Sequence, residues 1–161
     1  MLVVLLLVFG ALMGGAHIIS YYILKHRILK NGPWDLNICC GNTDGGGINA
    51  DICKHAKLPN FHLIDDVCDL PYKDKQFNKV LCSHTLEHVD DPKRFYEELI
   101  RVGEQVVIVI PPLWDMLAVF DIFSHKYIFL SMRKVHRRLP RYVKLPFAHT
   151  IHRKLGQRFT A

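Results

Sequence analysis

With 161 residues, the chain is long enough for one folded domain with appended segments and too short for several domains. Half of its residues are apolar, which is enough for a hydrophobic core. The five cysteines are odd in number and lack the spacing of a disulfide framework. They therefore exclude a small disulfide-stapled domain and favour the reducing cytoplasm.

The chain begins with a long apolar segment. Residues 2–24 contain no Lys, Arg, Asp or Glu, and roughly 20 apolar residues are enough to cross a bilayer as a helix. Basic residues follow at once, at Lys25, Arg27 and Lys30, so the positive-inside rule places the rest of the chain in the cytoplasm. We predict a single-pass membrane anchor with a basic flank over residues 1–30. A cleaved secretory signal is the alternative, but the basic region that should precede its apolar run is missing.

A GxxxG pair, Gly10 and Gly14, lies within the predicted span. Small residues at this spacing let two helices approach closely in a membrane. The pair leaves open a homo-oligomer or a membrane-protein partner, although glycine is common in membrane helices in general.

The middle of the chain, residues 31–112, has the pattern of an α/β domain. A helix opens at Pro92 and continues to about Val102, with Phe95 and Leu99 on the same face as Val102. Strands alternating with loops and a helix predict a parallel sheet of about five strands, with ligands at the carboxyl ends of the strands. The predicted strands are Trp34–Cys40, Ile48–Ile52, Phe61–Ile64, Lys79–Ser83 and Gln105–Ile110.

Several motifs in this domain occur in a familiar order. An acid is followed by Leu-Pro-aromatic, then by an aromatic-led apolar strand, then by Ser-x-x-Leu-Glu-His-Val and Asp-Pro. Over roughly residues 34–112 this order resembles the class I S-adenosylmethionine (SAM)-dependent methyltransferases, in particular the small type 11-like subgroup. The resemblance implies an abbreviated Rossmann-like fold and SAM as cofactor. The matching residues are Asp66, Leu70 to Tyr72, Phe77 to Val80, Ser83, Leu86 to Val89, and Asp91 with Pro92.

The resemblance also implies roles for residues at the strand ends. Asp51 would accept hydrogen bonds from the ribose hydroxyls, and its alternative is a surface turn acid. Asp66 would accept from the adenine amino group. His84, predicted as the catalytic residue, could act as a general base because imidazole titrates near neutral pH. The predicted cofactor-binding residues are Cys40, Gly41, Asn42, Asp51, Ile52, Asp66, Val67 and Ser83.

The glycine loop after the first strand departs from the family pattern. Asn37 stands where an acid is usual, Cys39 where the first glycine is usual and Thr43 where the third is usual, while Gly41 holds its place. The residues between the two predicted strands are too few for a crossover helix, because parallel strands need a connection of about a dozen residues or more. We expect either an unusually tight link or one short, irregular strand.

The C-terminal tail, residues 113–161, carries the basic charge. Residues 122–161 contain ten Lys and Arg and no acid, whereas residues 1–121 contain the other 11 bases and all 15 acids. Basic and apolar residues alternate there, so we predict an amphipathic helical tail that lies on anionic lipid. RNA needs the same charges, but the anchor in the same chain favours lipid over nucleic acid. A tail that is merely solvated or docked is the remaining alternative.

The sequence predicts no metal site. Cys39, Cys40, Cys53 and His55 are close in sequence, but they lack the paired CxxC spacing of a zinc site. The sequence favours the interpretation that the cysteines are small buried apolar residues.

The predicted function is a membrane-anchored SAM-dependent methyltransferase that acts on a lipid, quinone-like or other membrane-proximal acceptor. The alternative is a catalytically inactive methyltransferase-like subunit of a membrane complex, which the altered glycine loop and the missing first helix favour. A third hypothesis, an RNA-binding or RNA-modifying protein, depends on the basic tail alone.

Overall fold

The computed structural model describes residues 1–156 and begins with one long helical rod. It consists of α1 (Leu2–Ile18), a π-helical segment (Ile19–Leu24) and α2 (Lys25–Lys30). At 1.5 Å per residue, its 29 residues extend over roughly 43 Å. The first part of the rod is exposed on all sides, whereas Ser20 is fully buried against the domain. The rod therefore belongs partly to solvent or lipid and partly to the folded core.

The predicted parallel sheet is confirmed. Five strands pair in parallel in the order β3-β2-β1-β4-β5, and a sixth strand, β7, adds to β5 in the antiparallel direction. The predicted strand positions agree with the observed ones to within about three residues. The strands are β1 (Leu36–Ile38), β2 (Ile48–Asp51), β3 (Phe61–Leu63), β4 (Phe77–Ser83), β5 (Gly103–Val109) and β7 (Val135–His136).

The helix between β4 and β5, α3 (Pro92–Val102), has the predicted limits. Its N-cap, Asp91, accepts hydrogen bonds from the amides of Lys93 and Arg94 at 3.1 and 3.0 Å, and Pro92 needs no amide partner at this position. Phe95, Leu99 and Val102 are completely buried on the face that packs against the sheet. Each such burial stabilises the fold by roughly 1.5–3 kcal/mol, which fixes the helix across the sheet.

The link between β1 and β2 is unusually tight, which is one of the two outcomes that the sequence predicted. The two strands pair directly, with Leu36 opposite Ile48, and residues 39–47 contain no helix. Two buried amides hold the loop instead. Asn37 Nδ2 donates to the Thr43 carbonyl at 2.8 Å, and Asn49 Oδ1 accepts from the Gly45 amide at 2.9 Å. Hydrogen bonds from these side chains replace those that a crossover helix would have made internally.

The tail differs from the single amphipathic helix that was predicted. It contains α4 (Met116–Val119), strands β6 (Tyr127–Phe129) and β8 (Tyr142–Lys144), which pair with each other, and one helix, α5 (Ala148–Leu155). Pro140 and Pro146 interrupt any longer helix. Aromatic residues pack β6 against β8, with Phe129 and Tyr142 rings 5.4 Å apart. The predicted tail is thus largely part of the domain; its residues 157–161 lie outside the described part of the chain.

Candidate active site

Two adjoining cavities lie at the carboxyl ends of the parallel strands. The sheet cavity, of about 530 Å³, lies over β2, the β3 end and the turn after β4. The helix cavity, of about 390 Å³, lies between the sheet and the N-terminal rod. Both are lined by Cys39, Gly41, His84 and His88, so these residues separate one space from the other.

The sheet cavity brings together five of the eight predicted cofactor-binding residues. The Asp51 side chain ends β2, and its Oδ2 accepts a hydrogen bond from the Gly41 amide at 2.9 Å. Asp66 lies across the cavity, where its Oδ1 accepts from the Cys68 amide at 2.7 Å. Ile52 and Val67 supply apolar walls. Two carboxylates separated by apolar walls suit an adenosine, because hydroxyl and amino groups need acceptors while the base needs an apolar slot.

The other predicted cofactor-binding residues lie elsewhere. Cys40, Asn42 and Ser83 line the helix cavity, whereas Gly41 lines both cavities. Within residues 1–156, the buried hydroxyl of Ser83 has no hydrogen-bond partner. Their role in cofactor binding stays a prediction.

The predicted catalytic residue, His84, lies at the boundary of the two cavities. Burial lowers the pKa of its imidazole to about 4, so the ring is neutral at physiological pH. Its Nε2 lies 3.1 Å from Lys134 Nζ, and its Nδ1 lies 3.3 Å from Glu87 Oε1. An ammonium has only donors, so Nε2 accepts and Nδ1 carries the proton. In this arrangement neither nitrogen is open to a substrate proton, and the role as a general base stays a prediction.

Sequence reasoning missed a polar contact between the rod and the domain. Lys134 Nζ donates to Ser20 Oγ at 2.9 Å across 114 residues of sequence, and His17 Nδ1 lies 3.0 Å from Asp115 Oδ1. Lys134 was counted among the lipid-facing basic residues, yet it is only 6% exposed. Burial lowers the pKa of its ammonium to about 8, although nearby acids oppose this. The one signal in the sequence was the presence of two polar residues, His17 and Ser20, within the apolar segment.

The buried cysteines have unreactive surroundings. Burial raises the pKa of the Cys39 thiol well above its usual range and that of the Cys40 thiol to about 11. Burial likewise raises the pKa of Cys82. Since the thiolate is the nucleophile and the metal ligand, these residues act here as small apolar side chains.

Comparison with known proteins agrees with this geometry. A family described as "methyltransferase domain" matches residues 46–109. Ajmaline N-methyltransferase of Rauvolfia serpentina is 26% identical over 103 residues, which are 63% of this chain and 33% of the relative. Norajmaline N-methyltransferase of the same organism is 28% identical over 105 residues, again 33% of its length. The chain thus spans about a third of the curated relatives that it matches.

Similarity to solved structures is more distant. A SAM-dependent methyltransferase of Thermotoga maritima, described as a possible histamine N-methyltransferase, is 19% identical with a TM-score of 0.43, over 60% of this chain and 54% of that one. A protein from Pyrococcus horikoshii is 15% identical with a TM-score of 0.45, over 86% of this chain and 80% of that one. The family match confirms the resemblance seen in the sequence: residues 46–109 match a methyltransferase domain, and S-adenosylmethionine is the cofactor that this match implies.

Proposed function

We propose that this chain is a membrane-bound SAM-dependent methyltransferase whose acceptor binds in the helix cavity. The observation that carries the proposal is the pair of adjoining cavities that share Gly41 and His84. SAM would bind in the sheet cavity, with its ribose hydroxyls on Asp51 and its adenine amino group on Asp66. The acceptor would then approach from the helix side of the shared residues.

Positioning of the two reactants accounts for the catalysis. SAM supplies an electrophilic methyl group, and the acceptor atom must lie in line with it. Holding both partners in such a geometry can lower the barrier by roughly 7–11 kcal/mol. The neutral His84, held by Lys134 and Glu87 on its two nitrogens, adds no positive charge beside a cationic cofactor. Its part is to shape the passage between the cavities.

The N-terminal rod supports a membrane location. Leu2–Lys30 is the one described helix that is long and apolar enough to cross a membrane, criteria that a signal sequence also meets. Unlike a removable signal, its second half is part of the fold, because His17, Tyr21 and Lys25 line the helix cavity. The neighbouring α4 contacts α1 and exposes apolar side chains. These are Met116 and Leu117, followed by Phe120, Ile122 and Phe123 just beyond the helix.

These features favour an acceptor that is delivered from the bilayer, such as a lipid or a quinone-like molecule. It would reach the helix cavity along the rod, past Leu117, which lines this cavity and is one of the exposed apolar side chains. The relatives are named as N-methyltransferases, which supports a nitrogen atom as the nucleophile and therefore favours a lipid with a nitrogen-containing headgroup over a quinone-like molecule. Basic residues at the end of the rod, Lys25, Arg27 and Lys30, would bind anionic lipid headgroups, each contributing about 1 kcal/mol.

Calorimetric titration of the detergent-solubilised chain with S-adenosylhomocysteine tests the cofactor site without a known acceptor. We expect micromolar binding, which corresponds to roughly −8 kcal/mol. Asp51→Ala should weaken it at least tenfold, since the ribose hydroxyls lose a charged acceptor. The matched control is Asp69→Ala, which removes an exposed acid that does not line the sheet cavity; it should bind like the wild type.

The second candidate, an inactive methyltransferase-like subunit, is favoured by the loop after β1. Residues 39–47 contain no helix, so no helix N-terminus follows β1 toward the cofactor. The same titration decides between the two. If the wild-type chain gives no heat at millimolar ligand, the enzyme proposal is wrong and the chain is a scaffold.

A further inference from the structure

We propose that Glu87, His88 and His125 form a binding site for a zinc-type divalent metal ion at the inner wall of the helix cavity. One ligand atom from each residue lies within 4.8 Å of the other two. Two imidazoles and one carboxylate are the ligand set of open zinc sites, in which a fourth position is left for water or substrate. His88 and His125 both line the helix cavity, so this fourth position faces the space assigned to the acceptor.

The carboxylate of Glu87 lacks the partners that a buried charge requires. Glu87 is 1% exposed, and within the described chain neither of its oxygens has a well-formed hydrogen bond. The proton-bearing Nδ1 of the neutral His84 ring lies 3.3 Å from Glu87 Oε1, which brings no positive charge to the carboxylate. A buried acceptor left in this state costs roughly 1–3 kcal/mol or more. A metal ion between Glu87 and the two histidines would compensate both the charge and the missing bonds.

One of the two histidines, His88, is oriented as metal ligands are. His88 Nδ1 lies 3.0 Å from the Ser124 carbonyl, which fixes the tautomer with the lone pair on Nε2. Metal-binding histidines regularly donate their second nitrogen to a carbonyl in this way, because the contact sets the ring orientation. His84 would take the corresponding place behind the carboxylate.

The backbone holds the three residues together across a long stretch of sequence. The amides of Lys126 and Tyr127 both donate to the Glu87 carbonyl, at 2.7 and 3.3 Å. The rings of His88 and His125 meet edge to face with centroids 4.8 Å apart. At zinc–ligand distances near 2.1 Å, neighbouring ligand atoms lie roughly 3.4 Å apart, so a movement of about 1 Å closes the site.

Zinc titration of the untagged, EDTA-dialysed full chain in detergent tests the site without cofactor or acceptor. We expect one ion per chain, together with a thermal unfolding midpoint that rises with zinc concentration because the ion binds only the folded state. Glu87→Gln and His125→Asn should each weaken binding at least tenfold. His26→Asn, which removes an exposed histidine from α2, is the control and should change nothing.

Cobalt substitution gives a second readout that separates this site from the cysteines. The expected visible spectrum is that of a nitrogen- and oxygen-ligated ion without a thiolate charge-transfer band. Two variants keep the test decisive if one of them fails to fold. Absence of zinc binding, a thiolate band, or equal zinc affinity in the folded variants and the wild type overturns the proposal. Because the titration omits SAM, its result is independent of the S-adenosylhomocysteine experiment.

Discussion

The two cavities share a wall but are built in different ways. The sheet cavity is assembled from β2, the end of β3 and the turn after β4, all within residues 39–94 apart from Lys126. The helix cavity needs the N-terminal rod, the loop after β1 and the segment around α4, with contacts such as Ser20 to Lys134 that join distant parts of the chain. The cavity proposed for the cofactor is therefore encoded largely by short motifs, whereas the cavity proposed for the acceptor depends on how separate segments pack.

The largest expected effect concerns the link that aligns β1 with β2 and so places Asp51. A Cβ on Gly47 would overlap the backbone of Trp34 and Asp35. Gly47→Ala should therefore lower the free energy of unfolding by about 3 kcal/mol, measured by thermal or denaturant unfolding in detergent.

The matched control is Gly10→Ala, whose new methyl group meets nothing within 4 Å. It should leave stability unchanged or raise it slightly, because alanine favours helix over glycine. Equal stability of Gly47→Ala and Gly10→Ala would show that the tight link does not determine the position of the cofactor residues.

The next largest effect concerns Lys134, the buried lysine that joins the rod to the domain. The folded-state pKa of Lys134 is about 8, whereas an unfolded lysine keeps its proton to about pH 10.4. Between about pH 8 and pH 10 the unfolded state binds more protons, so Lys134 makes the free energy of unfolding rise with pH. Buried cysteines with a raised pKa, such as Cys40, make the free energy of unfolding fall with pH, because the folded state keeps a proton that the unfolded state loses.

Comparison with Lys134→Met isolates the lysine from these other groups. The change in unfolding free energy from pH 8 to pH 10 should be more positive in the wild type by about 2 kcal/mol. Denaturant unfolding at the two pH values measures it. Identical pH dependence in the two proteins would contradict a buried Lys134, and with it the described packing of the rod.

The smallest effect concerns the rim of the sheet cavity. Lys126 Nζ lies 2.7 Å from Asp90 Oδ1, but the Asp90 side chain is 91% exposed. Exposed ion pairs contribute about 0–1 kcal/mol, so Asp90→Asn should lower stability by less than about 1 kcal/mol. Added salt should reduce the difference further because it screens the pair. If Asp90→Asn lowered stability by more than this at high salt, the contact between the tail and the rim of the sheet cavity would be stronger than an exposed ion pair.

The sequence by itself determined the parts that depend on local pattern. The positions of the strands along the chain followed from short apolar runs, and α3 followed from its Asp-Pro start and apolar face. The places of Asp51 and Asp66 followed from the strand ends. These features can be predicted without knowledge of the rest of the fold, because the sequence signals for strands, caps and helices extend over only a few residues. The resemblance to methyltransferases was visible in the same segment.

Only the tertiary structure decided where the remaining polar residues lie. The prolines and aromatic residues of the tail form strands instead of one helix, and Lys134 turns inward to Ser20 because the rod packs beside it. Likewise, Glu87 and His88 meet His125 only because the amides of residues 126 and 127 bond to the Glu87 carbonyl. Contacts between residues far apart in sequence carry no periodic signal, so burial and charge at the acceptor side are properties of the packed chain.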